Sequence, residues 1–212
     1  MEVKFKLLNV LFALAVVGMT ACEESEEIQP EELEVQLAED IPADVDAARG
    51  AAANYTFFDL ESGTILQKSD SNSAEWDIAL SATTILTNNG VSGPGEGGAT
   101  IVDGIFENIT EIPMSEIAID TEESLAIPTG SGNGWYNYTG NDGMPMIAIL
   151  PIPGKVLIVR TGEGNYAKIE ILSYYEGNPD TSTDEFADLQ TRPASRYYTF
   201  RYVVQTGEST SF

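Results

Sequence analysis

The sequence predicts an all-β, or at least β-dominated, fold with short helices at most. Residues 154–175, GKVLIVRTGEGNYAKIEILSYY, hold a β-branched run followed by ten residues that alternate apolar and polar. A glycine-containing loop of about five residues at 161–165 joins the two runs, which is typical of an antiparallel hairpin. Residues 196–204 alternate in the same way, and stretches with helical periodicity are nearly absent. The core is therefore expected to consist of strands.

Residues 1–21 have the pattern of a lipoprotein signal peptide. Lys4 and Lys6 precede an apolar run at 7–17 that is short for a membrane-spanning helix, and small residues then lead to Cys22. Cys22 is the single cysteine of the chain, and it stands where a bacterial lipobox has the cysteine that becomes lipid-modified. The other interpretation is a buried or free thiol. Two or three acyl chains at Cys22 would anchor the protein to a membrane.

Residues 22–50 are predicted to form an acidic, disordered tether. Eleven acidic residues and no basic ones lie between Glu23 and Asp46. Low hydrophobicity with charge of one sign is typical of disorder. An acidic cluster directly after the lipid-modified cysteine resembles the surface-export signal of some Gram-negative lipoproteins. We therefore expect an outer-membrane lipoprotein that faces the cell exterior, with periplasmic retention as the alternative, and a β domain at 51–212.

The composition excludes several classes of function. A formal net charge of −24 with only ten Lys and Arg leaves no basic patch for nucleic acid. A single cysteine excludes a disulfide framework. The absence of histidine removes the usual general base and the usual zinc and haem ligand. Since there is also no GxSxG motif and no thiol left after lipidation, the protein is not expected to be an enzyme.

The first strands follow the tether. Residues 55–60 and 64–67, with a turn between them, predict a hairpin. Residues 76–80 begin another strand, which is expected to continue through 83–86. Residues 88–99, NNGVSGPGEGGA, form a glycine-rich loop that lacks the lysine of a phosphate-binding loop. An ordered or mobile surface loop is expected there, and its role is left open.

The later elements are shorter. Residues 100–102 and 135–138 are predicted strands, and a run at 147–150 leads into the hairpin of 154–175. After the hairpin, a short helix is expected near 184–189, with Thr183 as its N-cap.

Several of these segments resemble the HmuY family of bacterial haem-binding lipoproteins. They are WDIAL at 76–80, TTILTNNGVSGPGEGGA at 83–99, GWYNY at 134–138, PIPGKVLIVRTGEGNYAKIEILSYYEG at 151–177 and SRYYTFRYV at 195–203. The resemblance implies one domain of many short antiparallel strands, shaped like a half-closed hand. It also implies a surface protein that binds haem and passes it to a TonB-dependent outer-membrane receptor.

The same resemblance implies that two side chains, either histidines or methionines, ligate the haem iron from both sides. Because this chain has no histidine, methionine is the expected ligand, and tyrosinate is the other choice. The methionines outside the signal are Met114, Met144 and Met146. By likeness to the family, Met146 is preferred to Met144 as one ligand, with Met114 as the other. The alternative is a HmuY-like lipoprotein that binds a glycan or a host protein in the same cleft instead of haem.

Two further groups of side chains are candidates for ligand contact. Six basic residues could hold haem propionates, although solvated residues paired with acids are the simpler interpretation: Lys155, Arg160, Lys168, Arg192, Arg196 and Arg201. The tyrosines of the predicted strands could line an aromatic ligand, or they could pack against neighbouring strands.

Overall fold

Residues 33–48, 50–207 and 209–212 are described by the structure, a computed structural model of the chain. Within them the chain forms eleven strands, one short α-helix and three 3-10 turns. The strands are β1 Gln36–Pro42, β2 Thr56–Asp59, β3 Thr64–Ile65, β4 Ile78–Ser81, β5 Thr84–Thr87, β6 Gly98–Asp103, β7 Tyr136–Tyr138, β8 Ile149–Pro151, β9 Lys155–Arg160, β10 Tyr166–Tyr175 and β11 Ser195–Gln205. The helix is α1 Asp184–Ala187, and the 3-10 turns are Lys68–Asn72, Phe106–Asn108 and Met114–Glu116. The predicted all-β class is confirmed.

The larger of the sheets has five strands in the order β1-β11-β10-β9-β6, and all its neighbours are antiparallel. The predicted hairpin of 154–175 is its centre, because β9 and β10 pair from Arg160↔Tyr166 to Leu157↔Ile169 around the turn 161–165. Along β9, Leu157 and Val159 enter one hydrophobic cluster while Val156 and Ile158 enter another. Strand β9 is therefore buried on both faces, which explains its uninterrupted apolar sequence.

A second sheet, in the order β3-β2-β4-β5, packs against one face of the first. Phe58 of β2 meets Phe200 and Tyr202 of β11 edge to face, with ring centroids 5.4 and 6.3 Å apart. Edge-to-face contacts of this kind add to the stabilisation from buried area. The first cluster is thus the core between two sheets, and the second cluster lies on the outer face of the five-stranded sheet.

Two predictions about the early part of the chain are wrong. Residues 76–86 are not one strand, because β4 and β5 form a tight hairpin that reverses at Ala82, whose φ is +47°. Residues 36–42, inside the predicted tether, form β1 and pair with β11, burying Ala38 and Ile41. Because the neighbours of these two residues are charged, the composition of the segment did not predict its long-range pairing with β11.

The glycine-rich loop is packed against the fold. Asn88 is buried; its amide nitrogen donates to the carbonyls of Ser73 (3.0 Å) and Trp76 (2.7 Å), and its oxygen accepts from the Gly95 N–H at 3.0 Å. The turn of the central hairpin approaches the same place, since a Cβ on Gly162 would overlap the carbonyl oxygens of Ala74 and Trp76. Glycine is required at position 162 for this close approach of backbones.

A buried carboxylate joins the two sheets beside this loop. Asp77, directly before β4, accepts the Leu60 N–H at 2.7 Å and the Gly162 N–H at 2.8 Å. Burial raises the pKa of Asp77 to about 7, although both hydrogen bonds act in the opposite direction. The carboxylates of Asp59 and Glu61 also raise it.

The remaining elements frame one end of the domain. Strands β7 and β8 form a two-stranded sheet, and the loop of residues 139–148 connects them. The predicted short helix is confirmed as α1, and the Thr183 hydroxyl accepts the Phe186 N–H at 3.2 Å as its N-cap.

Substitution of Gly162 by Ala is expected to destabilise the protein by about 3 kcal/mol, because the added methyl group meets backbone oxygens that cannot move without shifting β4. Urea unfolding monitored by tryptophan fluorescence would measure the loss. Gly177→Ala is the control: its φ is +74° but nothing lies near its Cβ, so only the backbone cost of about 1 kcal/mol is expected. Equal losses in the two variants would contradict the close approach.

The pH dependence of stability should carry the signature of Asp77. Its folded-state pKa of about 7 lies above the unfolded value of 3.8, so the folded protein binds the extra proton between these values. The stability that protonation of Asp77 contributes is fully present below about pH 4 and is lost as the pH rises through 7. The free energy of unfolding falls by about 4 kcal/mol at most over this range.

Asp77→Asn isolates this effect, because the variant cannot titrate at position 77. The difference in unfolding free energy between the wild type and Asp77→Asn should narrow as the pH rises from 4 to 8. A difference that stays constant or widens over this range would refute the raised pKa.

Candidate functional site

The loop between β7 and β8, residues 139–148, carries two of the three candidate methionines, and we call it the methionine loop. Its base is closed by hydrogen bonds from the Ile147 N–H to the Gly140 carbonyl (2.7 Å) and from the Ala148 N–H to the Thr139 hydroxyl (2.8 Å). Beyond this base Met144 is 85% exposed and Met146 is 38% exposed. The loop therefore presents two thioethers at the surface of the domain.

A cleft of about 320 Å³ separates the methionine loop from the segment around α1. One wall is apolar and consists of Met144, Pro145 and Leu150. The other wall consists of residues 181–184 and Ala187. It carries three hydroxyl groups, the Asp184 carboxylate and the methyl group of Ala187. An apolar wall opposite a few polar groups is the usual composition of a small-molecule site.

Arg192 connects the methionine loop to α1. Its Nε donates to the Phe186 carbonyl at 2.8 Å, its Nη1 to the Ile147 carbonyl at 3.0 Å, and its Nη2 to the Met146 carbonyl at 2.9 Å. The guanidinium also lies over the Phe186 ring, 4.7 Å from the centroid. This side chain therefore links the backbone of Met146 and Ile147 to the backbone of α1.

Met114 lies elsewhere. It is 50% exposed, in a 3-10 turn between Ile112 and Ile117, which both pack on the outer-face cluster. Ala118 then bridges Ala99, at the end of the sheet where β10 begins.

The methionine loop lies at the opposite end of the sheet and on its other face. Ala148 belongs to the inter-sheet core, and the Ile149 N–H donates to the hydroxyl of Tyr175, the last residue of β10, at 3.0 Å. Ala167, the β10 residue aligned with Ala99 through Val159, is eight positions from Tyr175, or about 26 Å along the strand. Met144 lines the cleft and Met146 lies two residues further along the same loop, whereas Met114 lies at the other end of the sheet and on its other face.

The strand tyrosines belong mainly to the core. Those that are buried are Tyr136, Tyr174, Tyr175, Tyr198 and Tyr202. Burial raises the pKa of Tyr174 and of Tyr198, so the tyrosinate form that ligates iron is disfavoured at both positions. Tyr138 differs in being 46% exposed, on the strand that leads into the methionine loop.

The basic residues considered for propionate binding are all engaged with the protein itself. Lys155 pairs with Asp103 at 2.7 Å, and Arg201 pairs with Glu107 and Glu170 at 2.5 and 2.6 Å. The other four donate to backbone carbonyls: Arg160 to Glu96, Lys168 to Phe106 and Ile109, Arg192 as above, and Arg196 to Asp44. Burial lowers the pKa of Lys168, whose ammonium group lies 4.9 Å from the Phe106 ring centroid.

Sequence reasoning missed the role of Arg192 and the α1 wall of the cleft. Arg192 was one of six basic residues with no pattern to distinguish it, and 45 positions separate it from Ile147. No local signal predicted this contact.

The remaining predictions concern the lipid anchor, metal binding and the membrane. Cys22 and the signal peptide lie outside the described residues. Among the described residues, no cluster of three or more acidic, histidine or cysteine side chains is arranged to hold a metal ion. The helices in that part of the chain are too short or too polar to span a membrane.

The fold is a β domain of two packed sheets with a cleft beside α1. The HmuY protein family model matches residues 51–187, which is more than half of the chain, so the protein belongs to the HmuY family. Proteins of this family are binding proteins rather than enzymes. No curated protein matches the sequence.

Solved structures of related proteins resemble the chain at low identity. The apo HmuY analog TFO of Tannerella forsythia is 14% identical, with 83% of this chain and 97% of that one covered and a TM-score of 0.47. Apo PinO of Porphyromonas gingivitis is 14% identical, with 83% and 100% covered and a TM-score of 0.45.

The exposures of the methionines predict the order in which they oxidise. Sulfoxide formation follows solvent access, so dilute hydrogen peroxide should convert Met144 fastest, then Met114, then Met146. Peptide mass spectrometry over a time course would measure the three rates, and the urea-unfolded protein, in which the rates should converge, is the control. Oxidation of Met146 as fast as that of Met144 in the folded protein would contradict the positions of the two residues.

Proposed function

We propose that the protein is a lipid-anchored HmuY-like lipoprotein of the cell surface that binds haem for iron acquisition. In this proposal the cargo binds at the methionine loop and is passed to a TonB-dependent outer-membrane receptor. Support comes from membership of the HmuY family and from two exposed thioethers on the methionine loop, of which Met144 lines a cleft of about 320 Å³. The second of these observations carries the proposal, because it offers a chemically suitable donor at an accessible place.

Thioether chemistry fits this cargo. Sulfur of methionine is a soft, neutral ligand, and it favours ferrous over ferric haem iron. Met146, or Met144 in its place, is the proposed iron ligand on this side, since both lie on the methionine loop and Met144 lines the cleft. Ligation of the same iron by Met114 remains a prediction, and it would require the segment around residue 114 to leave the outer face of the sheet.

Anchoring and location follow from the first residues of the sequence. Cys22 is proposed to be the lipid-modified residue, with residues 1–21 removed as the signal peptide. The acidic residues that follow Cys22 favour export to the exterior face of the outer membrane over periplasmic retention.

A second candidate is a HmuY-like lipoprotein that binds a different ligand, a glycan or a host protein, in the same cleft. The observation that favours it is the distance between Met114 and Met146, together with a wall of hydroxyl groups and a carboxylate at residues 181–184. Hydroxyl and carboxylate groups suit a polar ligand better than a porphyrin.

A haemin titration distinguishes the two candidates. Purified protein is titrated under oxidising conditions and again after reduction with dithionite, and the Soret band is followed. We expect a shift that sharpens on reduction, because the thioether donors prefer the ferrous state. The shift should weaken in Met146→Leu, or in Met144→Leu if that residue is the donor; both substitutions preserve volume and remove sulfur.

Met114→Leu is the matched control, since it makes the same change on the other face of the sheet. Loss of the shift in Met114→Leu alone would refute ligation at the methionine loop and restore Met114 as the principal donor. A protein that gives no shift in either redox state does not bind haem, and the second candidate would then stand.

A further inference from the structure

Arg192 places an unusually large number of its donors on backbone oxygens of two separate segments. The Phe186 carbonyl and, at 3.4 Å, the Ala187 carbonyl belong to the last turn of α1. The Met146 and Ile147 carbonyls belong to the methionine loop. A guanidinium has five N–H groups in a fixed plane, so this arrangement uses most of them in one geometry.

The carbonyl groups on the α1 side need such a donor. The last carbonyls of a helix have no partner within it, and a short helix such as α1 offers none. The hydroxyl of the neighbouring Thr191 likewise donates a hydrogen bond to the Glu185 carbonyl at 2.7 Å. Residues 191–192 therefore terminate α1 through their side chains, and Arg192 extends this termination to the methionine loop.

The stacking on Phe186 fixes the plane of the guanidinium. The ring is buried and packs edge to face on Tyr175, with centroids 4.8 Å apart. Tyr175 in turn accepts the Ile149 N–H at the start of β8. The Arg192 side chain is thus held by the same core residues that hold the end of the methionine loop.

We propose that Arg192 is the positioning residue of the cleft, and that it sets the separation between the methionine loop and the α1 wall. Its charge is directed at four backbone carbonyls, so it does not serve as a counter-ion for a ligand carboxylate. The inference concerns the shape of the cleft, and it rests on the proposed function only in taking the methionine loop as the ligand-contacting segment.

The two roles predict different outcomes for two substitutions. Lysine keeps the positive charge and loses the planar fork, because one ammonium group cannot reach four carbonyls in two segments. Glutamine loses the charge. If Arg192 positions the methionine loop, both variants should loosen the loop. If Arg192 is a counter-ion for the ligand, only the glutamine variant should lose ligand binding.

Arg201→Lys is the matched control. Arg201 also stacks on a buried phenylalanine, with its guanidinium 4.4 Å from the Phe106 ring centroid, but on the outer face of the five-stranded sheet. The same chemical change is therefore made away from the cleft.

The first measurement needs no ligand. Hydrogen exchange of the Ile147 and Ala148 amides, which close the base of the methionine loop, is followed by NMR in the wild type and the variants. Exchange should be at least about tenfold faster in Arg192→Lys and Arg192→Gln and unchanged in Arg201→Lys. Unchanged protection in Arg192→Lys would overturn the proposal, and this milder variant decides the question if Arg192→Gln does not fold.

The second measurement is haemin affinity in the reduced state. Weaker binding in both Arg192 variants, with Arg201→Lys like the wild type, supports positioning. Binding retained by Arg192→Lys and lost by Arg192→Gln would show a counter-ion and overturn the proposal. A wild type that does not bind haemin refutes the proposed function alone, and the exchange rates then decide the role of Arg192.

Discussion

The burial of β9 on both faces is the constraint on which the rest of the structure depends. Val156 and Ile158 contact one cluster, and Leu157 and Val159 contact the other. Successive side chains of a strand point to opposite faces of its sheet, so the five-stranded sheet separates two regions of the molecule. The inter-sheet core and the methionine loop belong to one region, and the segment that carries Met114 belongs to the other. The fold therefore decides which candidate ligands can meet.

Several of the few basic residues of this acidic chain donate to backbone carbonyls. With 34 acidic residues against ten basic ones, cations paired only with surface acids would have been expected. Instead Lys168 and Arg192 lie on aromatic rings and donate to carbonyl groups of irregular segments. Burying a cation is costly unless its donors are satisfied, and carbonyl oxygens satisfy them without a compensating buried acid. Both side chains thereby hold loops against the sheet system.

Much of the fold could be predicted because its signals are local. The alternation in β10 and β11, the loop at 161–165 and the cap at Thr183 each lie within about ten residues of sequence. The two predictions that were wrong lacked such a local signal. Strand β1 is acidic in composition, and only its pairing with β11 buries Ala38 and Ile41. The reversal at Ala82 needs a left-handed backbone conformation, which an alanine rarely adopts and therefore does not predict.

For the candidate site, residue composition limits the available chemistry. A chain without histidine, and with Met114, Met144 and Met146 outside its signal, can offer haem iron little besides thioethers and phenols. Which of these donors share a surface depends on how the chain packs. The placement of Met144 and Met146 beside α1 depends on contacts between residues about 45 positions apart, such as that from Arg192 to Ile147. Residue identity sets what a side chain can bind, but proximity arises from packing between distant segments, which local pattern does not encode.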